Sequence, residues 1–224
     1  MKQILSVYGI AFFVLLMFVF GLQYAYPKLE LHLLLNSYHS GIFDVFFKYY
    51  SMAVEWPIYV LALLPLLWKK FKITLFFAMC ELSGGTILQI LKHTISTDRP
   101  VSMFEHYQKM VLPIVEGVNL HHGNSFPSGH ASTFFVFCTC IVFILAYHYQ
   151  LRAKQYSRRT WILVNLSVLS LLILAALGAY SRIYLSQHFL SDVCVGSIIG
   201  FITPCLIFYL CRNKILKLKT NETE

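Results

Sequence analysis

The chain has 224 residues, of which 58% are hydrophobic, 16% aromatic and only 12% charged. A typical soluble domain is about 25% charged, and a soluble chain of this length cannot enclose so much apolar surface in one core. The apolar residues are also concentrated in runs of about 20, the length that crosses a bilayer. The composition therefore predicts a polytopic membrane protein. It excludes a soluble enzyme, a disordered chain and a secreted disulfide scaffold.

The net charge of +8 does not indicate a nucleic-acid-binding protein. The Lys and Arg residues stand in short clusters between the apolar runs, as topology signals do, and form no stripe that would follow a phosphate backbone. The cysteines all fall inside apolar runs, so we expect neither a disulfide framework nor a zinc site. They are Cys80, Cys138, Cys140, Cys194, Cys205 and Cys211.

Six apolar runs predict an all-α bundle of six transmembrane helices that forms a single domain, residues 1–224. The first run resembles the core of a signal peptide, but it is long and lacks an A-x-A cleavage site, so we expect a retained helix. The segment 28–48 is more polar and is predicted to lie in the membrane interface as an amphipathic segment. Residues 212–224 are predicted to form a cytoplasmic tail. The runs are Ile4–Tyr26, Tyr49–Trp68, Ile73–Leu91, Ala131–Tyr149, Trp161–Tyr180 and Val193–Cys211.

The basic residues predict that both termini are cytoplasmic. In that orientation twelve of the 18 Lys and Arg residues lie inside, as the positive-inside rule requires. The loops 92–130 and 181–192 then both face the periplasm or the exterior of a cell (inner) membrane. The cytoplasmic residues are Lys2, Lys69, Lys70, Lys72, Arg152, Lys154, Arg158, Arg159, Arg212, Lys214, Lys217 and Lys219.

Three polar clusters lie in these outer loops. They read K-H-T-I-S-T-D-R-P at 92–100, F-P-S-G-H at 126–130 and S-R-I-Y-L-S-Q-H-F-L-S-D at 181–192. Each cluster stands at the predicted end or start of a span. A loop that served only as a spacer would need none of them.

The cations of these clusters indicate an anionic ligand. Lys92, Arg99 and Arg182 are on the outer side, against the positive-inside trend, and fixed charges near a membrane interface suggest a binding site. An Arg side chain offers a planar fork that matches phosphate oxygens, and a Lys side chain offers a point charge. Ser128 and Gly129 precede the fourth span, where unpaired N–H groups and the helix dipole favour an anion.

The remaining residues of the clusters fit phosphoryl transfer. His188 and Asp192 are four residues apart at the predicted start of the sixth helix and would share a face. The carboxylate can hold the imidazole by its Nδ1–H and leave Nε2 free to attack. His130 can give a proton to a leaving alkoxide. Singly, such residues are most often a membrane anchor, a helix cap or a surface pair, but their convergence on one membrane face favours a catalytic site.

Together the three clusters resemble the signature of the type 2 phosphatidic acid phosphatase superfamily, the lipid phosphate phosphatases. That signature reads K-x6-R-P, P-S-G-H and S-R-x5-H-x3-D, and the chain matches it without departure. The resemblance covers residues 50–210 and implies an integral-membrane hydrolase of lipid phosphates that works without a metal or another cofactor. It implies His188 as the nucleophile that forms a phosphohistidine, Asp192 as its orienting group and His130 as the general acid. The phosphoryl oxygens would be bound by Lys92, Arg99, Ser128, Gly129 and Arg182.

The lipid substrate stays open at the level of the sequence. Undecaprenyl diphosphate, phosphatidylglycerophosphate, phosphatidic acid and the phosphates of lipid A all fit a phosphate pocket. The short loops are typical of a bacterial member and favour the first two and lipid A. The alternative from another class is a transporter or binder of phosphorylated lipids. The intact His188, Asp192 and His130 argue against it, because binding alone needs no nucleophile.

Four further polar residues have two interpretations each. Glu81 lies in the middle of the third span, where a carboxylate is costly; it either supports the site or the lipid pocket, or is protonated and bonded to a neighbouring Ser or Thr. His106, His121 and His122 lie between the first two clusters. We expect them to contact a lipid head group or solvent rather than to hold a metal ion.

Overall fold

The computed structural model describes residues 1–107, 111–152 and 157–215, and in these ranges all regular secondary structure is helical. Of the helices in these ranges, five are long and apolar enough to cross a membrane, namely α1, α5, α7, α8 and α9. The prediction of an all-α, multi-pass membrane protein is thus confirmed. Lys154 lies outside the described residues, as do residues 216–224 of the predicted tail. The described helices are α1 (Lys2–Ala25), α2 (Lys28–Leu35), α3 (Gly41–Met52), α4 (Trp56–Lys69), α5 (Phe71–Thr94), α6 (Pro100–Tyr107), α7 (Gly129–Leu151), α8 (Arg158–Tyr184) and α9 (Leu190–Ile215).

The predicted second span, residues 49–68, is divided between two helices in the structure. Helix α3 ends at Met52, a turn follows, and α4 begins at Trp56. With 14 residues, α4 is about 21 Å long, which is shorter than the roughly 30 Å of a hydrocarbon core. Pro57 stands in the first turn of α4, a position where proline favours a helix start because its missing N–H is not needed.

The predicted interfacial segment, residues 28–48, also divides into two helices. The 8-residue α2 and the first part of α3 flank a short connection at residues 36–40. Leu31, His32 and Phe47 on these two helices are buried, and both helices contact α8. The segment therefore packs on the helix bundle and forms part of its core.

Helix α7 is the centre of the bundle. It packs most extensively on α9 and α8 and also contacts α5 and α1. One buried cluster, which includes Phe12 and Phe135, joins α1 to α7, α8 and α9. A second cluster, which includes Phe76, Phe143 and Phe208, joins α4 and α5 to α7 and α9. Since lipid tails are as apolar as these side chains, close packing holds the helices together, as in the stacked rings of Phe143 and Phe208, whose centroids are 4.3 Å apart.

Two glycines on α9 bring this helix close to α7. A Cβ atom on Gly196 would lie 2.3 Å from the carbonyl oxygen of Ser128, and one on Gly200 would lie 2.3 Å from that of Ser132. Small residues four apart allow this kind of close approach between membrane helices. The first turn of α7 therefore lies against α9, close to the first turn of α9.

Candidate active site

The predicted site residues all lie at or next to helix ends, and the fold brings them together. Lys92 is in the last turn of α5 and Arg182 in the last turn of α8. Because α7 and α9 run antiparallel to these helices, their first turns lie at the same end of the bundle. The groups found there are Lys92, Arg99, Ser128, Gly129, His130, Arg182, His188 and Asp192.

Hydrogen bonds hold the three loops to one another. The N–H of Ser125 donates to the carbonyl of Thr97 at 3.0 Å, and the N–H of Phe126 donates to the hydroxyl of Thr97 at 3.1 Å. The N–H of Ser128 donates to the carbonyl of Asp192 at 3.0 Å. The second cluster is therefore fixed against both the first and the third.

His188 lies before α9 and not within it. The expectation that His188 and Asp192 share a helical face is therefore wrong, because α9 begins only at Leu190. Asp192 stands in the first turn, where its Oδ2 accepts the N–H of Phe189 at 3.1 Å, as an acidic side chain at a helix start commonly does. The N–H of His188 donates to the carbonyl of Arg182 at 3.1 Å, which ties this loop to the end of α8.

A third side chain, Ser125, joins His188 to Asp192. The Nδ1 atom of His188 is 3.7 Å from Oδ2 of Asp192, beyond an ordinary hydrogen bond, but 3.4 Å from the hydroxyl oxygen of Ser125. That hydroxyl donates to the same Oδ2. All three residues are buried. The Nδ1 side of the imidazole is thus turned towards the carboxylate, which leaves Nε2 as the nitrogen for chemistry.

The environment of His188 keeps its ring neutral at neutral pH. Burial lowers the pKa of His188 to about 4, against the opposing effect of the nearby Asp192 carboxylate. The positive charges of Arg99 and Arg182 lower this pKa further. A neutral imidazole keeps the lone pair that a nucleophile requires.

The three cations of the site differ in how they are held. Arg99 is buried, and it donates from Nε to the carbonyl of Gly123 at 2.9 Å and from Nη1 to the carbonyl of Gln187 at 3.1 Å. Arg182 is also buried, but its Nε has no hydrogen-bond partner in the described part of the chain. Lys92 is half-buried and interacts electrostatically with both arginines. Arg182 therefore has an unused donor for an anion.

Gln187 positions Arg99 beside His188, and the sequence analysis did not find it. Its Oε1 accepts from Nη1 of Arg99 at 3.3 Å, and its Nε2 donates to the carbonyl of Asn119 at 3.0 Å. Gln187 belongs to the five unspecified positions of the third motif. The only sequence signal for Gln187 is its position directly before His188.

The first turn of α7 offers two donors to an anion. The hydroxyl oxygen of Ser128 accepts the N–H of Ala131 at 3.4 Å and so caps the helix. The backbone N–H of Ser128 is already used by Asp192. The hydroxyl hydrogen of Ser128 and the N–H of Gly129 are left for a ligand.

His130 lies between two cavities of different character. One has a volume of about 500 Å³ and is lined by polar side chains that include Glu55, His121 and Arg182. The other has a volume of about 550 Å³ and is mainly apolar, with Tyr59 among its lining residues, between α4, α5 and α7. The Nε2 atom of His130 is buried and has no hydrogen-bond partner among the described residues. This nitrogen is therefore available to a ligand that reaches the border of the two cavities.

The other polar residues of the sequence analysis take different places. Glu81 accepts a hydrogen bond from the hydroxyl of Thr133 at 2.6 Å and lines the apolar cavity. His121 lines the polar cavity, where partial burial and the nearby arginines lower its pKa. His122 is exposed, 3.7 Å from Glu105. Within the described ranges, no three His, Cys, Asp or Glu side chains lie close enough to hold a metal ion.

The bundle thus places three cations and two histidines at one end. The family model for the PAP2 superfamily matches residues 71–216. The chain belongs to the PAP2 superfamily, and it is a membrane phosphatase of this family, as the three motifs predict. A search of curated proteins finds no match.

Two solved structures have a similar fold. The crystal structure of LpxE from Aquifex aeolicus is 24% identical, with a TM-score of 0.59 over 81% of this chain and 94% of that chain. The crystal structure of a transmembrane PAP2-type phosphatidylglycerolphosphate phosphatase from Bacillus subtilis is 17% identical, with a TM-score of 0.59 over 99% of this chain and 100% of that chain. At these identities the similarity shows a common fold.

Proposed function

We propose that this protein hydrolyses the terminal phosphate of a membrane lipid phosphate or diphosphate through a phosphohistidine at His188, without a metal ion or another cofactor. The observation that carries the proposal is the buried imidazole of His188, which lies near the cations Arg99 and Arg182 and has Asp192 behind it. A site that only bound phosphate would not need a neutral histidine with its Nδ1 side held by a carboxylate.

Three cations and the first turn of α7 would bind the phosphoryl group. Phosphoryl transfer spreads negative charge over the equatorial oxygens, and fixed donors stabilise that charge. The unused Nε of Arg182 supports a direct contact, and Lys92 and Arg99 add positive charge. The hydroxyl of Ser128 and the N–H of Gly129 supply the donors of a helix N-terminus.

In the first step, Nε2 of His188 attacks the phosphorus atom. The N–P bond forms while the bond from phosphorus to the lipid oxygen breaks. Asp192, acting through Ser125, holds Nδ1–H and stabilises the positive charge that develops on the ring. His130 gives its proton to the departing lipid oxygen, so that the lipid leaves as an alcohol.

In the second step, a water molecule attacks the phosphohistidine. His130, unprotonated after the first step, accepts a proton from this water as the new P–O bond forms and the N–P bond breaks. Inorganic phosphate leaves, and both histidines return to their starting states. The covalent intermediate divides one difficult displacement into two easier ones.

The two cavities support a placement of the lipid. The phosphate would enter the polar cavity beside Arg182, and the hydrocarbon chains would occupy the apolar cavity between α4, α5 and α7. His130 lies at the border of both cavities, next to the bond that breaks. We further propose that this site faces the outside of a cell (inner) membrane, since the basic residues favour cytoplasmic termini.

Phosphate release from a panel of lipid phosphates and diphosphates by the purified protein tests this proposal. We expect release that persists in EDTA and is inhibited by vanadate, which mimics pentacoordinate phosphorus, and no release by His188→Ala. The matched control is His93→Ala, which removes an exposed histidine in the last turn of α5. Loss of activity in EDTA, restored by a divalent ion, would contradict the metal-free mechanism. Lipid binding without any phosphate release would favour a transporter or binder.

A further inference from the structure

Glu55 is a carboxylate of the site that the sequence analysis did not single out. It lies in the turn between α3 and α4, and it lines both the polar and the apolar cavity together with His130. Its charge interacts with that of Arg182. No ion pair joins Glu55 to a cation in the part of the chain that the structure describes. Its carboxylate is therefore available to a ligand.

A second carboxylate lines the apolar cavity. One oxygen of Glu81 accepts the hydroxyl of Thr133, while the other is buried and has no hydrogen-bond partner among the described residues. A buried acceptor without a partner is costly, and a ligand that brings a donor can remove that cost. The described lining of this cavity contains Glu55 and Glu81 but neither Lys nor Arg.

These carboxylates lie where the leaving group would be. In the proposed mechanism His130 protonates the departing lipid oxygen, and His130 lines the same cavity as Glu55 and Glu81. A lipid diphosphate would leave as a lipid phosphate, whose charge would be repelled by the carboxylate of Glu55 in a site partly shielded from water. An alcohol with a further hydroxyl or N–H group would instead donate a hydrogen bond to Glu55.

We propose that the site selects phosphate monoesters whose alcohol carries another hydroxyl or N–H donor close to the ester oxygen, and that it disfavours lipid diphosphates. This inference rests on the proposed function and narrows its substrate class. Glu55 accepts the hydrogen bond from this donor, because it lines both the polar and the apolar cavity. Sites built to bind a substrate hydroxyl discriminate strongly against analogues that lack it.

Three substrates in the same detergent test the inference. They are lysophosphatidic acid, which has a free hydroxyl next to the phosphate ester, its 2-deoxy analogue, and an alkyl diphosphate of similar chain length. For the wild-type protein we expect kcat/KM to be at least about ten-fold higher for lysophosphatidic acid than for the deoxy analogue, the factor that one hydrogen bond to a charged group supplies. We expect the diphosphate to be the poorest substrate.

Two substitutions separate the acceptor from the charge. Glu55→Ala removes the acceptor and should bring the hydroxyl and deoxy substrates to within about three-fold of each other. Glu55→Gln removes the charge and should raise kcat/KM for the diphosphate relative to the monoester by about ten-fold. The control pair is Glu116→Ala and Glu116→Gln, since Glu116 is an exposed carboxylate in a nearby loop that lines neither cavity. Thermal unfolding of every variant reports on its fold.

Each outcome decides between the two proposals. Equal rates for the hydroxyl and deoxy substrates, or a preference for the diphosphate, would overturn the inference and leave the proposed function intact. Equal changes in the Glu55 and Glu116 variants would also overturn it, because they would reveal a general charge effect. Phosphate release from none of the three substrates would overturn the proposed function itself. The wild-type comparison needs no variant, so a misfolded Glu55 protein would not remove the test.

Discussion

Ser125 determines how Asp192 can act on His188, and its removal is a direct test. Without the hydroxyl, a gap of 3.7 Å separates Nδ1 of His188 from the carboxylate, and the hydrogen bond that orients the ring is lost. We expect Ser125→Ala to lower kcat by about ten-fold or more, with little change in KM, because a nucleophile in the wrong orientation affects the chemical step. Steady-state kinetics on purified protein measures this.

The matched control for Ser125 is Ser96→Ala, an exposed serine in the loop of the first motif. It should leave both kinetic constants unchanged. Thermal unfolding of the two variants separates an effect on catalysis from an effect on the fold. An unchanged kcat in Ser125→Ala would mean that Asp192 reaches His188 without this bridge.

The pH dependence of the reaction follows from the lowered pKa of His188. Protonation removes the lone pair of Nε2, so activity should fall as the pH drops through the pKa of the folded protein, about 4, and not through the ordinary value of 6.5. We expect kcat/KM, corrected for the ionisation of the substrate measured by phosphorus NMR, to stay nearly constant from neutral pH down to about pH 5. A corrected decrease centred on the ordinary histidine value would show that the ring is not kept neutral.

The sequence identifies the residues that we propose to react, but not the residues that support them. Lys, Arg, His and Asp in the three clusters are chemically distinctive, and their spacing fits phosphoryl transfer. Ser125 and Gln187 make contacts between distant parts of the chain, such as the one between Ser125 and His188, and Glu55 reaches the two cavities only through the fold. No sequence pattern distinguishes a loop serine, glutamine or glutamate with such a role from one that is only exposed to solvent.

At the level of helices, the close contact of α9 with α7 positions the site. We expect Gly196→Ala to reduce both stability and activity, because its Cβ atom would lie 2.3 Å from the carbonyl oxygen of Ser128. Backbone cannot move aside as a flexible side chain can, and overpacking costs about 1–3 kcal/mol. The separation of the helices would also break the hydrogen bond from Ser128 to the carbonyl of Asp192.

Gly85→Ala is the matched control for this helix contact. Gly85 lies within α5, and a Cβ atom there would meet nothing within 4 Å. Alanine favours a helix over glycine by about 1 kcal/mol, so this variant should be as stable as the wild type or slightly more stable. Thermal unfolding and phosphate release measure both variants. A Gly196→Ala protein that equals the wild type in both would mean that α9 can move without disturbing the site.

The long helices could be predicted because hydropathy reports directly on bilayer crossing. The runs that became α1, α5, α7, α8 and α9 are each long and apolar. The break between α3 and α4 was not found in this way, because a single charged residue, Glu55, interrupts an otherwise mostly apolar run. The local signal was Pro57, which marks a helix start. The spacing of His188 and Asp192 also could not show that α9 begins after His188. Residues four apart in sequence can both lie in a helix, or one can lie in the loop before it.

At the level of the whole molecule, the N-terminal third contributes to the site although the family model begins at residue 71. Asn36 is fully buried and donates from Nδ2 to the hydroxyl of Ser186 at 2.7 Å, two residues before His188. Tyr184, at the end of α8, donates to Asp44 on α3. These contacts connect α2 and α3 to the loop of the nucleophile. The N-terminal helices therefore pack against the segment that carries the third motif.

The sidedness of the proposed active site decides which lipids it can reach, and labelling of introduced cysteines tests it. Val111 is 90% exposed in the loop between the first two motifs, and Arg152 is exposed at the end of α7. The proposed orientation places these residues on opposite sides of the membrane. Val111→Cys should react with a membrane-impermeant maleimide in intact cells, whereas Arg152→Cys should react only after the cells are permeabilised. The native cysteines lie within α5, α7 and α9, so the wild-type chain supplies the background. The reverse pattern would place the active site in the cytoplasm, where the lipids of the inner leaflet would be its substrates.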